Sequence, residues 1–127
     1  MQTTSRERIL IVDDEDSIID IAREVLESQG YHVFASGNGR EALALYREAI
    51  PSIDLVILDL NLPDMNGKDV LDCMRDINPH ARVILSSGYH LTEKIPTMDG
   101  NGILPFLQKP FRITELITKV RDTLAEA

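Results

Sequence analysis

Cysteine is nearly absent. Cys73 stands alone in 127 residues, so no disulfide can form within the chain, and one unpaired thiol suits a reducing compartment. Long apolar runs are missing too. No segment approaches the ~20 apolar residues of a membrane span, and the opening MQTTSRERILIV holds too short an apolar stretch for a signal peptide. A cytoplasmic protein is the expectation. Basic clusters are missing, and the net charge of −8 argues against nucleic acid as a direct ligand. His32, His80 and His90 lie apart from one another, without the His/Cys spacing of a zinc site. There is no G-x-G-x-x-G loop, which argues against a dinucleotide-binding or other nucleotide-binding protein of the flavodoxin or Rossmann type.

What is present is an ordinary globular composition, 43% hydrophobic and 27% charged, in a length that suits one domain with a real core. Residues 1–7 are polar and read as a flexible tail, leaving 8–127 as the folded unit. Short aliphatic runs alternate with helical stripes. The predicted strands are Arg8–Val12, Tyr31–Ala35, Leu55–Leu58, Arg82–Ser86 and Ile103–Gln108, the last with Pro105 inside it and so at an edge. Ser17 is a candidate cap for a first helix carrying Ile18, Ile21, Ala22 and Val25 inward, with Gly30 as its stop. The second helix, Arg40–Ala49, presents Ala42, Leu45, Tyr46 and Ala49, with Pro51 closing it; the third, Lys68–Ile77, presents Val70, Cys73, Met74 and Ile77. A short or kinked fourth helix is expected around Leu91, Ile95 and Met98, opposed by Pro96 and by Asp99-Gly100-Asn101-Gly102. The last helix carries Ile113, Leu116, Ile117, Val120 and Leu124. Five strand–helix alternations imply a three-layer α/β/α fold: a doubly wound, five-stranded parallel sheet in the flavodoxin-like order 2-1-3-4-5.

Open α/β sheets bind ligands at the carboxyl ends of their strands. There the chain places Asp13 and Asp14 after strand one, Asp59 after strand three, Ser86 and Ser87 after strand four, and Lys109 after strand five. The run DLVILDLNLPDMNG sets Asp59 at the end of a strand buried on both faces, a costly place for a carboxylate without a use. Three carboxylates in one crevice repel each other, and a hard divalent cation with oxygen ligands, Mg²⁺, relieves the conflict. Lys109 can meet a phosphate oxygen and a serine hydroxyl can donate to another. A carboxylate nucleophile, a metal site, a lysine and a hydroxyl are the parts that hold a phosphoryl group in transfer.

The runs IVDDED, VILDLNLPDMNG, VILSSG and QKPF, in that order, resemble the receiver domains of two-component response regulators. The resemblance covers Arg8 to about Leu124, and VILSSGY with FLQKPF resembles the receivers attached to hybrid sensor histidine kinases. It implies a CheY-like signalling switch in which Asp59 accepts phosphate from a histidine kinase or a histidine phosphotransfer protein. Asp13 and Asp14 would hold Mg²⁺ together with Asp59, and the backbone carbonyl of Asn61 would complete the metal site. Ser87 would hydrogen-bond the phosphoryl group and swing inward; the Ser87–Gly88 pair favours it over Ser86. Lys109 would pair with the acceptor or the phosphate, and the Lys109–Pro110 bond would be cis. Phe106 falls at the family's aromatic switch position, although it has no hydroxyl and on residue grounds alone is a core side chain. Such a domain catalyses its own aspartyl phosphorylation and dephosphorylation, regulates a downstream protein and can dimerise when phosphorylated.

Two other function classes compete. A haloacid-dehalogenase-type phosphatase also forms an aspartyl phosphate, but it carries a D-x-D nucleophile motif on its first strand and a cap domain. Here the first strand ends in adjacent Asp13-Asp14, with no room for a cap. A binding module that keeps the fold but signals without phosphate would have no use for Asp13, Asp14, Asp59 and Lys109 together. The sequence accommodates a stand-alone regulator and a module of a larger protein, and the resemblance to hybrid-kinase receivers favours the second. Asp64 is read as a turn residue after Pro63, and Glu15 and Asp16 as capping residues that add negative field.

Overall fold

The computed structural model describes residues 7–49, 53–88, 98–99 and 102–125. The aliphatic run RILIV forms β1 (Arg8–Val12), followed by α1 (Asp16–Ser28), β2 (His32–Ser36), α2 (Gly39–Ala49), β3 (Leu55–Asp59), α3 (Gly67–Ile77) and β4 (Val83–Ser87). Two short strands, β5 (Met98–Asp99) and β6 (Gly102–Ile103), precede β7 (Phe106–Gln108) and α4 (Ile113–Ala125). The main sheet is parallel throughout, in the order β2-β1-β3-β4-β7. With β7 as its fifth strand this is the expected 2-1-3-4-5 flavodoxin-like order.

Alternation along the strands divides the core in two. Leu10, Val12, Val56, Leu58, Val83 and Leu85 face α2 and α3, where they pack on Ala42, Leu43, Tyr46, Val70, Leu71 and Met74. Ile9, Ile11, Leu55, Ile57, Ile84 and Leu107 face α1 and α4, against Ala22, Leu26, Leu116 and Val120. All five residues of β3 are buried, as a central parallel strand with helices on both sides requires.

Several expectations change at the edges of elements. Strands two, three and four each include one more residue at the carboxyl end (Ser36, Asp59 and Ser87), because ladder pairing is a backbone property that tolerates a polar side chain. Ser17 does not cap α1: it is exposed inside the helix, and Glu15 holds the N-cap position without a side-chain hydrogen bond. Gly30 does stop that helix, at a φ of 96° that other residues rarely adopt. Ile21 and Ile113 are exposed rather than inward, while Leu26 in α1 and Thr123 in α4 take buried places. The predicted fifth strand shortens to Phe106–Gln108, since Ile103 pairs antiparallel with Met98 instead. Pro105 precedes the strand and contributes only its carbonyl, which accepts from Leu85 N–H at 2.9 Å. The strand lies at the sheet edge, as Pro105 suggested. The expected fourth helix falls almost wholly outside the described residues, as do Pro51 and the tail apart from Glu7.

Candidate functional site

Strand alternation also assembles the site. Asp13 follows Ile9 and Ile11, Asp59 follows Leu55 and Ile57, and Lys109 follows Leu107, all on the α1/α4 side of the sheet. The ladder carries on past the strand ends: Asp13 N–H donates to Ser36 O at 3.0 Å and Lys109 N–H to Ser87 O at 2.9 Å. The three side chains therefore rise on one face above an apolar floor. The Lys109 Nζ donates to Asp13 Oδ2 at 2.7 Å and to Asp59 Oδ2 at 3.1 Å, and reaches Glu15 Oε1 at 3.1 Å. Asp13 and Asp59 are each 3% exposed, whereas Asp14 and Glu15 are open to solvent.

Both ends of Asp59 are held. Oδ2 accepts from Lys109, and Oδ1 accepts from the Asn61 backbone N–H at 3.0 Å. Burial pushes the Asp59 carboxyl above the ordinary aspartate range and nearby Asp13 adds to this, against the Asn61 hydrogen bond and the Lys109 charge. For Lys109, burial works against the charged form but is outweighed by the hydrogen bond to Asp13 and the charge of Asp59, so the ammonium is held above its usual range. One ammonium thus serves three carboxylates.

The loop after β3 is braced at several points. Gly67 N–H donates to Leu60 O at 3.0 Å. A Cβ at Gly67 would stand 2.6 Å from Leu60 Cα and 3.0 Å from Asp59 O, so the close return of the chain needs glycine. Asn66 Oδ1 accepts from Asp69 N–H and caps α3. Asp64, exposed in the turn, does more than turn the chain. Its carboxylate accepts from Gly39 N–H at 2.7 Å and Arg40 N–H at 3.0 Å, closing the amino end of α2 from another loop. Those two hydrogen bonds hold its carboxyl below the usual range. Sequence spacing gives no sign of a contact between residues 25 positions apart.

The two serines diverge. Ser87 Oγ accepts from Asn61 Nδ2 at 3.3 Å, at the rim of the site. Ser86 is the register partner of Asp59 in β3 and of Leu107 in β7; both serines are 2% exposed, so it is their partners and not their burial that differ. Phe106 is half-buried against the α2/α3 core, and the Lys109–Pro110 peptide is cis, as expected. A cleft of about 320 Å³ opens over the cluster, lined by Asp14, Glu15, Asp59, Asn61, Gly88 and Lys109. Asp13, Asp14 and Asp59 each offer a carboxylate oxygen, all within 4.8 Å of one another. An all-oxygen, mostly carboxylate donor set suits a hard divalent cation rather than zinc. Glu15, read from sequence as a capping residue, does hold the N-cap position of α1, but its side chain makes no cap hydrogen bond and pairs with Lys109.

Residues 9–121 match the family model of the response regulator receiver domain. The chain belongs to that family. Receiver domains bind Mg²⁺ at an acidic pocket, and this one has a cluster of three aspartates. Among relatives, this receiver domain is 36% identical over 118 residues to sporulation initiation phosphotransferase F of Bacillus subtilis, covering 93% of this chain and 94% of the relative. It is 36% identical over 121 residues to the DNA-binding response regulator MtrA of Mycolicibacterium smegmatis, covering 95% of this chain but about half (52%) of that protein. Among solved structures, a CheY-like receiver domain protein from Methanospirillum hungatei JF-1 superposes with a TM-score of 0.84 at 31% identity, over 94% of each chain. The receiver domain of the hybrid histidine kinase CckA superposes with a TM-score of 0.78 at 33% identity, over 92% of this chain and 98% of that one. Among the described residues, no helix is long and apolar enough to cross a membrane.

Proposed function

We propose that the receiver unit, residues 8–127, is a two-component signalling switch that takes a phosphoryl group from a phosphohistidine donor onto Asp59. One observation carries this reading: Asp59 is buried yet opens onto a cleft where a lysine, two further aspartates and a backbone N–H converge. The Asp59 carboxylate attacks phosphorus in line with the departing histidine nitrogen. Asn61 N–H and Lys109 fix the two carboxylate oxygens, so the nucleophile is oriented before the donor arrives. Lys109 then follows the developing charge onto a phosphoryl oxygen. Asp13, Asp14 and Asp59, with the Asn61 backbone carbonyl, are the residues that would hold Mg²⁺; bound there, it would neutralise charge on the transferring group. The acyl phosphate adds about −1.5 to −2 charges, by analogy with other phosphorylated side chains. Ser87 turns from Asn61 toward the phosphate, and Phe106 repacks at the sheet edge. Water resets the switch at the same site.

The donor is a sensor histidine kinase or a histidine phosphotransfer protein, and the output is a protein contact altered by phosphorylation, with dimerisation as one form of it. Relatives include both response regulators and a hybrid kinase receiver, so the domain would serve either arrangement. A cytoplasmic location follows from such a donor. Incubation with acetyl phosphate and Mg²⁺ tests the reading by intact mass. The wild-type chain gains one phosphoryl group; Asp59→Asn gains none, and undiminished gain in that variant overturns the assignment.

A further inference from the structure

Ser86 has a polar side chain with no partner in a place that does not tolerate one cheaply. It is 2% exposed, and its Oγ makes no hydrogen bond. Two residues earlier, Ile84 packs into the α1/α4 core, as does Leu107, the register partner of Ser86. By the two-residue alternation of a strand, Ser86 therefore shares the sheet face of Ile84, Leu107 and Asp59. Ser87 points to the other face and is already engaged with Asn61.

A buried hydroxyl without a partner destabilises the fold, and replacing it with an apolar group of similar shape relieves that cost. Its position beside the reactive carboxyl points to a second state in which it is satisfied. The neighbourhood supplies one. Paired strands lie about 4.8 Å apart, so a change of one serine rotamer carries Oγ toward the carboxyl of its register partner, Asp59. The backbone of Ser86 stays in place, since its carbonyl accepts from Leu60 N–H at 2.9 Å. In the resting protein both Asp59 oxygens have donors, from Asn61 and Lys109. Once Lys109 leaves for a phosphoryl oxygen, the carboxyl group lacks one donor.

We propose that Ser86 supplies that donor, its hydroxyl bonding the acyl carboxyl of phosphorylated Asp59 and setting how long the phosphoryl group stays. The inference rests on Asp59 being the phosphoacceptor. During hydrolysis a water oxygen forms a bond to phosphorus. The bond from phosphorus to the Asp59 oxygen breaks, and its electron pair returns to Asp59 as carboxylate charge. One water proton passes to solvent, and inorganic phosphate leaves. Negative charge grows on the carboxyl group as this bond breaks, so a hydroxyl donor there is stronger in the transition state than before it. Ser86 therefore shortens the life of the acyl phosphate.

The test uses acetyl phosphate, Mg²⁺ and the full chain, with loss of label followed after the donor is removed. Ser86→Ala raises the Tm, because the orphan hydroxyl is gone, and lengthens the acyl-phosphate half-life about threefold to tenfold, the range expected for one lost hydrogen bond. Ser86→Thr, which keeps a hydroxyl on a strand-compatible side chain, retains a half-life close to wild type. A Ser86→Ala half-life equal to wild type overturns the inference, whatever happens to Tm. Equal lengthening in both variants also overturns it, since volume rather than the hydroxyl would then be responsible. Wild-type protein that takes up no phosphoryl group overturns the Asp59 reading and this inference with it, an outcome visible before any variant is compared.

Discussion

The two faces of the sheet do opposite things at the carboxyl ends of its central strands. Toward α2 and α3 the alternating residues run Leu10-Val12, Val56-Leu58 and Val83-Leu85, apolar almost to the rim. Toward α1 and α4 they run Ile9-Ile11-Asp13, Leu55-Ile57-Asp59, Ile84-Ser86 and Leu107-Lys109. The second face exchanges packing for charge within one residue step. A register slip of one position would carry Asp59 into the Met74 and Val70 core, so the apolar pattern lower in the strand is what aims the carboxylate. Packing on one face and charge on the other are specified by the same alternation.

The largest expected effect comes from removing the shared cation. Lys109→Ala in metal-free buffer leaves Asp13 and Asp59 buried without their counter-charge, and is expected to cost about 3–5 kcal/mol in a urea melt. Mg²⁺ recovers part of that loss, since it binds the folded state. On the other face, Met74→Ala costs about 2–5 kcal/mol from lost packing, and Mg²⁺ does not recover it. Equal metal rescue of both variants would erase the distinction between the faces.

A smaller effect separates the cost of the carboxylate from its use. Burial raises the Asp59 carboxyl above its unfolded value. Its favourable contribution is therefore complete below the ordinary aspartate pKa of about 3.9 and is lost as pH rises through the folded value. Without metal, Asp59→Asn is expected to melt at or above the wild-type temperature at pH 7, with the gap closing as pH falls toward 4. A gap that widens on acidification would place the buried-charge cost elsewhere.

Much of this was legible from the chain. Leu55–Leu58 reads as a central strand because burial on both faces removes polar alternation, and the five alternations of strand and helix leave few topologies. The positions Asp13, Asp14, Asp59 and Lys109 follow from strand ends alone. Other features need three dimensions. Ile21 and Ile113 continue helical stripes, yet both are exposed, because a stripe is wider than the surface it meets. Leu43 and Leu71 are buried one position off the predicted stripes of α2 and α3, because there the packed surface is wider than the stripe. Asp64 reads as a turn residue because its acceptors' partners lie on α2. Ser86 and Ser87 are indistinguishable as residue types, and only register shows that one lies beside Asp59 and the other over Asn61.

On the proposed function, phosphate enters at Asp59 and nowhere else. Borohydride reduction of the protein after acetyl phosphate treatment converts a phosphorylated aspartate to homoserine, which peptide sequencing locates. Homoserine at position 59, formed only with Mg²⁺ present, is the result expected. Homoserine at position 13 or 14, or label that survives reduction unchanged, would contradict it.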